Sequence, residues 1–240
     1  MSASNIEKHH SVALAIELSN PSAAPGGHAS ALFSIADEDD LSERSLIGSG
    51  PIPEGVRSSD GIMVLVESLC AQHQVGPCDI KKIIVSNGPG GYTALRISTT
   101  TAKVLAQTIG CELVAVPTAR IAAASIDPQH KPALIALASK NELAHCSVAH
   151  ANGLLESVGV IDADQIKSLG VVSIVADSHL PRTFVDRAEE FGIAIHPIVL
   201  DARLCLEAAE GVEPTSPIDL APIYAREPDA VTQWRSRTKK

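Results

Sequence analysis

Apolar residues in the first half of the chain fall into short runs bounded by turn residues and longer stretches that repeat about every 3.6 positions. The short runs are typical of β-strands, and the longer stretches predict amphipathic helices. The predicted elements, in order, are strands at 12–18, 28–35 and 44–47, a helix over 62–73, a strand at 83–85, a helix over 93–109, a strand at 112–116 and a helix over 118–125. The order is therefore βββαβαβα.

The same order begins again after a connection that contains Asp127, Pro128 and Pro132. Its predicted elements are strands at 133–138, 142–149 and 154–161, a helix over 163–169, a strand at 171–176, a helix over 183–191, a strand at 194–199 and a helix over 201–210. We therefore expect two subdomains, 1–126 and 127–240, each with a mixed sheet and helices on its faces. This duplicated α/β plan resembles the ribonuclease H-like, actin and Hsp70 (ASKHA) superfamily, in which ATP lies between the halves.

The composition narrows the classes of function. With 240 residues, of which 45 % are hydrophobic, the chain is long enough to bury a substantial core. A net charge of -9 and 2 % aromatic residues argue against direct binding of nucleic acid, which needs clustered cations or stacking platforms. One basic cluster lies near the end of the sequence, and we interpret it as a solvated tail. It consists of Arg235, Arg237, Lys239 and Lys240.

The cysteines and the first residues bear on the compartment. Five cysteines without a C-x-x-C pair predict neither a disulfide framework nor a thiolate zinc site. The first ten residues are polar, and no apolar run approaches the ~20 residues that a membrane span needs. We therefore expect a cytoplasmic protein that has no membrane segment.

A glycine-rich segment, SNGPGGYTALRIS at 86–98, joins a predicted strand to a predicted helix. Glycine in such a place indicates a close approach to the backbone, either by a phosphate or by another part of the protein. The segment matches the dinucleotide fingerprint only in part, and the first turn of the helix contains no lysine. We predict a tight turn over 88–91 that is capped by Thr93, and the alternative is a phosphate loop formed by Gly88, Gly90, Gly91 and Thr93.

The first predicted hairpin is where an ASKHA protein would hold phosphate and Mg²⁺. Glu17 stands at the end of the first strand, and Ser19 and Gly26 follow it. However, Pro21 and Pro25 remove two backbone donors and stiffen the loop, which argues against a tight phosphate cradle.

The second half offers less for nucleotide chemistry. Leu137, Ala138 and Ser139 end its first strand, so no carboxylate faces Glu17 from the matching position. Mg²⁺ then lacks a pair of protein ligands, and we interpret Glu17, Ser19 and Asp177 as a vestigial nucleotide site. The sequence also contains no credible catalytic triad and no paired histidines on one face, so we expect neither catalytic residues nor a bound metal.

The two helices of the first half carry unusually neutral surfaces. Between residues 93 and 109 only Arg96 and Lys103 are charged, although a solvent-facing helix normally carries several charges. One stripe of this helix is predicted to face the core, namely Leu95, Ser98, Ala102, Leu105 and Ile109. The opposite face is covered either by the same domain or by a partner, and the apolar surface of helix 62–73 favours a partner.

Several segments together resemble the TsaB (YeaZ) family. The segment NGPGGYTALRISTTTAKVLAQTIGCELVAVPT is similar to a family segment that usually reads close to GPGSFTGLRIG and continues into an AKGLA-like helix. The C-terminal LAPIYAREPDAVTQW is similar to the P-x-Y-L-R-x-x-x-A-x-x-W ending, and VALAIELSN resembles the opening strand. The resemblance covers the two ends of the first half and the end of the sequence.

The resemblance implies a role in the threonylcarbamoyladenosine (t6A) modification of ANN-decoding tRNAs. A family member is a non-catalytic subunit that pairs with the catalytic subunit TsaD and works with the ATPase TsaE. ATP and Mg²⁺ then belong to the partner complex, and tRNA is contacted indirectly. Both the homodimer and the TsaD heterodimer use the helices of the first half, so the interface residues implied are Ile62, Met63, Val66, Arg96, Ile97, Thr100, Lys103, Val104 and Gln107.

The chain departs from the family pattern at several positions. Glu17 stands where the family usually has Asp, and the D-A-R-R-G-E-V-Y segment of the second half keeps only Ala138 and Glu142. TsaD itself is disfavoured, because its H-x-x-x-H metal pair is missing. Two alternatives stay open, a homodimer without a pathway role and an ATP-dependent kinase or carbamoyl transferase that uses Glu17 and the 88–91 loop.

Overall fold

The computed structural model describes residues 11–20, 27–35, 43–52, 56, 58–226 and 234. Pro21, Pro25 and Gly26 of the first hairpin and the basic tail at 235–240 lie outside the described residues. Within the described part of the chain, no helix has both the length and the apolar character needed to cross a bilayer.

The first sheet is built from both antiparallel and parallel pairs. Its strands are β1 (Val12–Ile16), β2 (Ser30–Ile35), β3 (Arg44–Gly50), β4 (Ile80–Gly88) and β5 (Glu112–Pro117), in the spatial order β3-β2-β1-β4-β5. The first three strands are antiparallel, whereas β4 and β5 run parallel to β1. Its helices are α1 (Ser58–Gln72), α2 (Tyr92–Ile109) and α3 (Thr118–Ala124), with a 3₁₀ turn at Pro77–Asp79.

The second sheet repeats this plan. Its strands are β6 (Ala133–Lys140), β7 (Leu143–Ala149), β8 (Leu155–Ile161), β9 (Ser173–Ala176) and β10 (Ala194–Pro197), in the order β10-β9-β6-β7-β8. Strands β6, β7 and β8 are antiparallel, and β9 and β10 run parallel to β6. Its helices are α4 (Arg182–Phe191) and α5 (Cys205–Ala208), with 3₁₀ segments at Pro128–His130, Ala163–Leu169 and Ala202–Leu204. The predicted duplicated α/β fold with two mixed sheets is confirmed.

Two of the predicted helices take another form. Residues 163–169 form a 3₁₀ helix, because a capping box at Asp162 and a left-handed Gly170 enclose only seven residues. The segment predicted as a helix over 201–210 divides into the 3₁₀ turn and the four-residue α5, and the side chain of Asp201 caps its start.

The core is divided by the two sheets. Helices α1 and α2 pack on one face of the first sheet, against Leu14, Ile16 and Val85. Helices α3 and α5 lie between the sheets and share one apolar cluster with both of them. Strand β1 is buried along its whole length because both of its faces are covered.

The chain returns to the first sheet after β10. Thr215 N–H donates to Leu113 O at 2.7 Å, Ile223 N–H donates to Asn87 O at 2.6 Å, and Leu220 is buried in the α1–α2 core. We call residues 213–226 the C-terminal strap. A boundary at 126/127 therefore separates the two sheets, while the strap belongs by its contacts to the first subdomain.

Candidate functional site

The glycine turn at 88–91 is crowded by two other parts of the backbone. A Cβ atom on Gly90 would lie 2.8 Å from the carbonyl carbon of Ser19 and closer still to its oxygen. A Cβ atom on Gly88, whose φ is +113°, would meet the carbonyl oxygen of Ile223 in the strap. The Gly91 N–H donates to Ser19 O at 2.7 Å. The space beside these glycines is therefore occupied by the end of β1 and by the strap.

The start of α2 differs from the sequence prediction. Gly91 is the N-cap residue, and no side chain makes a cap hydrogen bond. Thr93 lies inside the first turn and is exposed, so its prediction as the cap was wrong. The reason is that Gly91 is already extended, with φ -66° and ψ 124°, and its carbonyl oxygen accepts the Leu95 N–H at 2.9 Å. The helix thus begins at Tyr92.

An aromatic pair joins the start of α2 to the strap. The rings of Tyr92 and Tyr224 stack with centroids 4.7 Å apart, and the Arg96 guanidinium lies 5.6 Å from the Tyr92 centroid. Stacking and cation–π contacts of this kind hold the strap against the helix. Sequence reasoning missed the pair, although the chain has only two tyrosines and each lies in a segment that resembles the same family.

Helices α1 and α2 lie side by side and leave an apolar outer surface. Met63, Val64 and Val104 are 45 %, 59 % and 53 % exposed. Arg96, Thr100 and Gln107 are also exposed on α2. We call these six residues the two-helix face. Exposed large apolar side chains on two neighbouring helices are a feature of protein interaction sites.

The structure corrects two residues of the predicted interface. Ile62 is 1 % exposed and Val66 is 5 % exposed, because the helical period turns both toward the first sheet with Leu65 and Leu69. They belong to the core of the subdomain. Ile97 and Lys103 are half-buried, and Lys103 Nζ donates to Ile218 O in the strap at 3.2 Å.

The strand-end residue Glu17 is closed off by its neighbours. Its Oε1 atom accepts hydrogen bonds from the Ser19 N–H and the Ser19 hydroxyl, both at 2.6 Å. Its Oε2 atom is buried, and the Ser86 hydroxyl lies near the same carboxyl group without ordinary hydrogen-bond geometry. Burial raises the pKa of Glu17, and the hydrogen bonds from Ser19 only partly offset this effect.

Asp177, the third residue of the predicted nucleotide site, links the two subdomains. Its Oδ2 atom accepts from Asn20 Nδ2 at 2.6 Å, and its Oδ1 atom accepts from the His179 N–H at 2.8 Å. Glu17 and Ser19 are hydrogen-bonded to each other. Asp177 instead accepts a hydrogen bond from Asn20, the residue that follows Ser19. Among the residues that the structure describes, no group of three His, Cys, Asp or Glu side chains is placed to hold a metal ion.

Comparisons with known sequences find a family model and a relative that are both named for the threonylcarbamoyl modification of tRNA. Residues 42–163 match the family model described as TsaD, tRNA N6-adenosine threonylcarbamoyltransferase. The tRNA threonylcarbamoyladenosine biosynthesis protein TsaB of Bacillus subtilis (strain 168) is 35 % identical over 99 residues, which span 40 % of this chain and 42 % of that relative.

Two solved structures are similar in fold. One is an uncharacterized protein with similarity to peptidase YEAZ from Pseudomonas aeruginosa, with a TM-score of 0.65 at 17 % identity over 90 % of this chain and all of the other. The second is YeaZ from Pseudomonas aeruginosa, with a TM-score of 0.63 at 16 % identity over 89 % of this chain and all of the other.

Proposed function

The chain belongs to the TsaB (YeaZ) family, and from that premise we propose that it is a non-catalytic subunit in the threonylcarbamoyladenosine (t6A) modification of ANN-decoding tRNA. Its partner is a TsaD-like catalytic subunit, and a TsaE-like ATPase acts through the complex. The same surface serves a homodimer when the partner is absent. In this proposal tRNA, ATP and Mg²⁺ are bound by the complex rather than by this chain alone.

The two-helix face is the observation that carries the proposal. Burying Met63, Val64 and Val104 removes large apolar side chains from water, at roughly 25 cal/mol per Å² of apolar area. Thr100 is small and uncharged, so a partner helix can approach α2 closely at this point. Arg96 and Gln107 border the apolar centre and can supply polar contacts at its edge.

The non-catalytic role is supported by the strand-end residues. A carboxyl group binds Mg²⁺ in its ionised form, but burial raises the pKa of Glu17 and so disfavours that form. Asp177 is engaged by Asn20 and by the His179 N–H. The first hairpin and the glycine turn are also held together by the bond from Gly91 N–H to Ser19 O. These contacts favour a structural use of the region over phosphate binding.

The partner assignment is tested by charge substitutions on the two-helix face. We expect Val104→Glu and Thr100→Glu each to abolish co-purification with the cognate TsaD-like subunit, because each puts a carboxylate into an apolar interface. Val172→Glu is the matched control, since Val172 is 50 % exposed but lies in the second subdomain. Circular dichroism should show that all three variants are folded. The assignment is wrong if the complex survives both changes on α2.

A titration separates this proposal from an ATP-dependent enzyme. Isothermal calorimetry with ATP and Mg²⁺ should show no strong binding to the isolated chain. Micromolar binding that disappears in Glu17→Ala would contradict the non-catalytic role and favour the enzyme.

A further inference from the structure

A large cleft lies between the subdomains, apart from the two-helix face. Its volume is about 730 Å³, within the range of small-molecule sites. One wall is formed by the ends of β4 and β5 with α3, and the other wall by β7 and β8, while α5 contributes Glu207 and Ala208. None of the three residues of the predicted nucleotide site, Glu17, Ser19 and Asp177, lines it. Gly88 and Pro89 of the glycine turn do line it, so the cleft adjoins that turn but lies apart from the strand-end carboxyl groups.

The cleft is lined by more basic than acidic side chains, although the whole chain is acidic. The sequence has 28 acidic and 19 basic residues, yet Arg120 and Lys131 line the cleft together with one carboxylate, Glu207. Both cations are half-buried. Lys131 has no ion-pair partner among the described residues, and Arg120 Nη2 donates to the backbone oxygen of Glu210 at 2.9 Å. Half-buried cations without a carboxylate partner favour an anion in the space before them.

Strand β7 adds neutral hydrogen-bonding groups to the same cleft. His145 and Ser147 are two residues apart and therefore point to the same side of the strand. The Nδ1 atom of His145 is buried without a hydrogen-bond partner among the described residues, and burial lowers the pKa of this histidine. A neutral imidazole and a hydroxyl complete a set of donors around the two cations.

The lining also limits the class of ligand. None of the described residues that line the cleft is Phe, Tyr or Trp, so the cleft offers a nucleobase none of these large aromatic rings. We propose that the cleft binds a small non-aromatic anion that carries a phosphate or carboxylate group. Arg120 and Lys131 bind the charged group, and His145 and Ser147 orient it. This inference goes beyond the proposed function and does not rest on it.

Calorimetry on the full chain with two probes tests the proposal. Inorganic pyrophosphate represents phosphate ligands and malonate represents carboxylate ligands, and we expect one of them to bind with 1:1 stoichiometry. Lys131→Gln should weaken binding by about tenfold or more, because a charge-assisted hydrogen bond is lost. Glu207→Gln should strengthen it, because a like charge leaves the cleft. Lys167→Gln is the control and should have no effect, since Lys167 lies over the Phe191 ring and outside the cleft.

Each outcome decides the question. Binding of pyrophosphate alone assigns a phosphate ligand, and binding of malonate alone assigns a carboxylate ligand. The proposal is overturned if neither probe binds, if Glu207→Gln has no effect, or if Lys167→Gln weakens binding as much as Lys131→Gln. ADP that binds more tightly than pyrophosphate would overturn the non-aromatic class. Because Glu207 is exposed, its variant keeps the test valid even if Lys131→Gln fails to fold.

Discussion

Replacing Gly90 with alanine should destabilise the protein, because the added methyl group would meet the backbone of Ser19. The new Cβ atom would lie 2.8 Å from the carbonyl carbon of Ser19, with the carbonyl oxygen nearer still. Real Cβ atoms do not approach other atoms so closely, and the neighbour is backbone, so no side-chain rotation relieves the clash. The two segments must therefore move apart.

The cost has two parts. Overpacking of a well-filled site costs about 1–3 kcal/mol. Separating the segments also breaks the hydrogen bond from Gly91 N–H to Ser19 O, which contributes about 1 kcal/mol. Ser19 is held in place by its bonds to Glu17, so the end of β1 cannot shift alone. We expect a total of about 2–4 kcal/mol, a large part of the ~5–15 kcal/mol of a typical domain.

Urea unfolding measures this loss. The midpoint should fall by about 1–2 M, while the dependence of the free energy on urea stays that of the wild type. Gly76→Ala is the matched control, because a Cβ atom there would lie 3.3 Å from Oδ2 of Asp79, the end of a side chain that needs to shift by only a few tenths of an ångström. It should cost less than about 1 kcal/mol. Equal midpoints for the two variants would refute the close approach of Ser19 to Gly90.

Two further predictions concern a buried carboxyl group and the strap. Because burial raises the pKa of Glu17 above its ordinary value, the stability that it contributes is complete below pH 4.5 and is lost as the pH rises through the folded-state pKa. Glu17→Gln should therefore be more stable than the wild type at pH 7 and show a flatter decline above pH 4.5 in urea titrations, and identical pH profiles would contradict this. Tyr224→Ala should lower the free energy of unfolding by about 0.5–1.5 kcal/mol more than the loss of buried area accounts for, because the stack on Tyr92 is removed. Tyr224→Phe should keep the stack, and thermal unfolding that does not distinguish the two variants would show that stacking is not the cause.

The order of the elements, and the type of the longer ones, could be predicted from the sequence because they depend on local patterns. The buried strand β1 and the long helix α2 are strongly periodic or continuously apolar, and both were found within a few residues of their bounds. The same period correctly turns Ile62 and Val66 toward the core, so assigning them to an interface confused the inner stripe with the outer one. Met63 and Val64, which lie between them in sequence, carry the exposed surface.

Contacts between distant segments could not be predicted in this way. The bond between Asn20 and Asp177 joins residues 157 positions apart, and nothing in either local sequence specifies the other. The glycine turn shows the limit most clearly. Its composition predicts a close approach, but only the fold identifies Ser19 and Ile223 as the groups that approach.

The C-terminal strap has a consequence for how the protein is made. Leu220 lies in a core whose other buried members fall between Val12 and Leu113, so more than a hundred residues separate the last member from the rest. During synthesis the ribosome must therefore release the whole second subdomain before the first can close its core. Until then the side of α2 that the strap covers stays open to water and to chaperones. The half of the chain that is translated first is thus completed last.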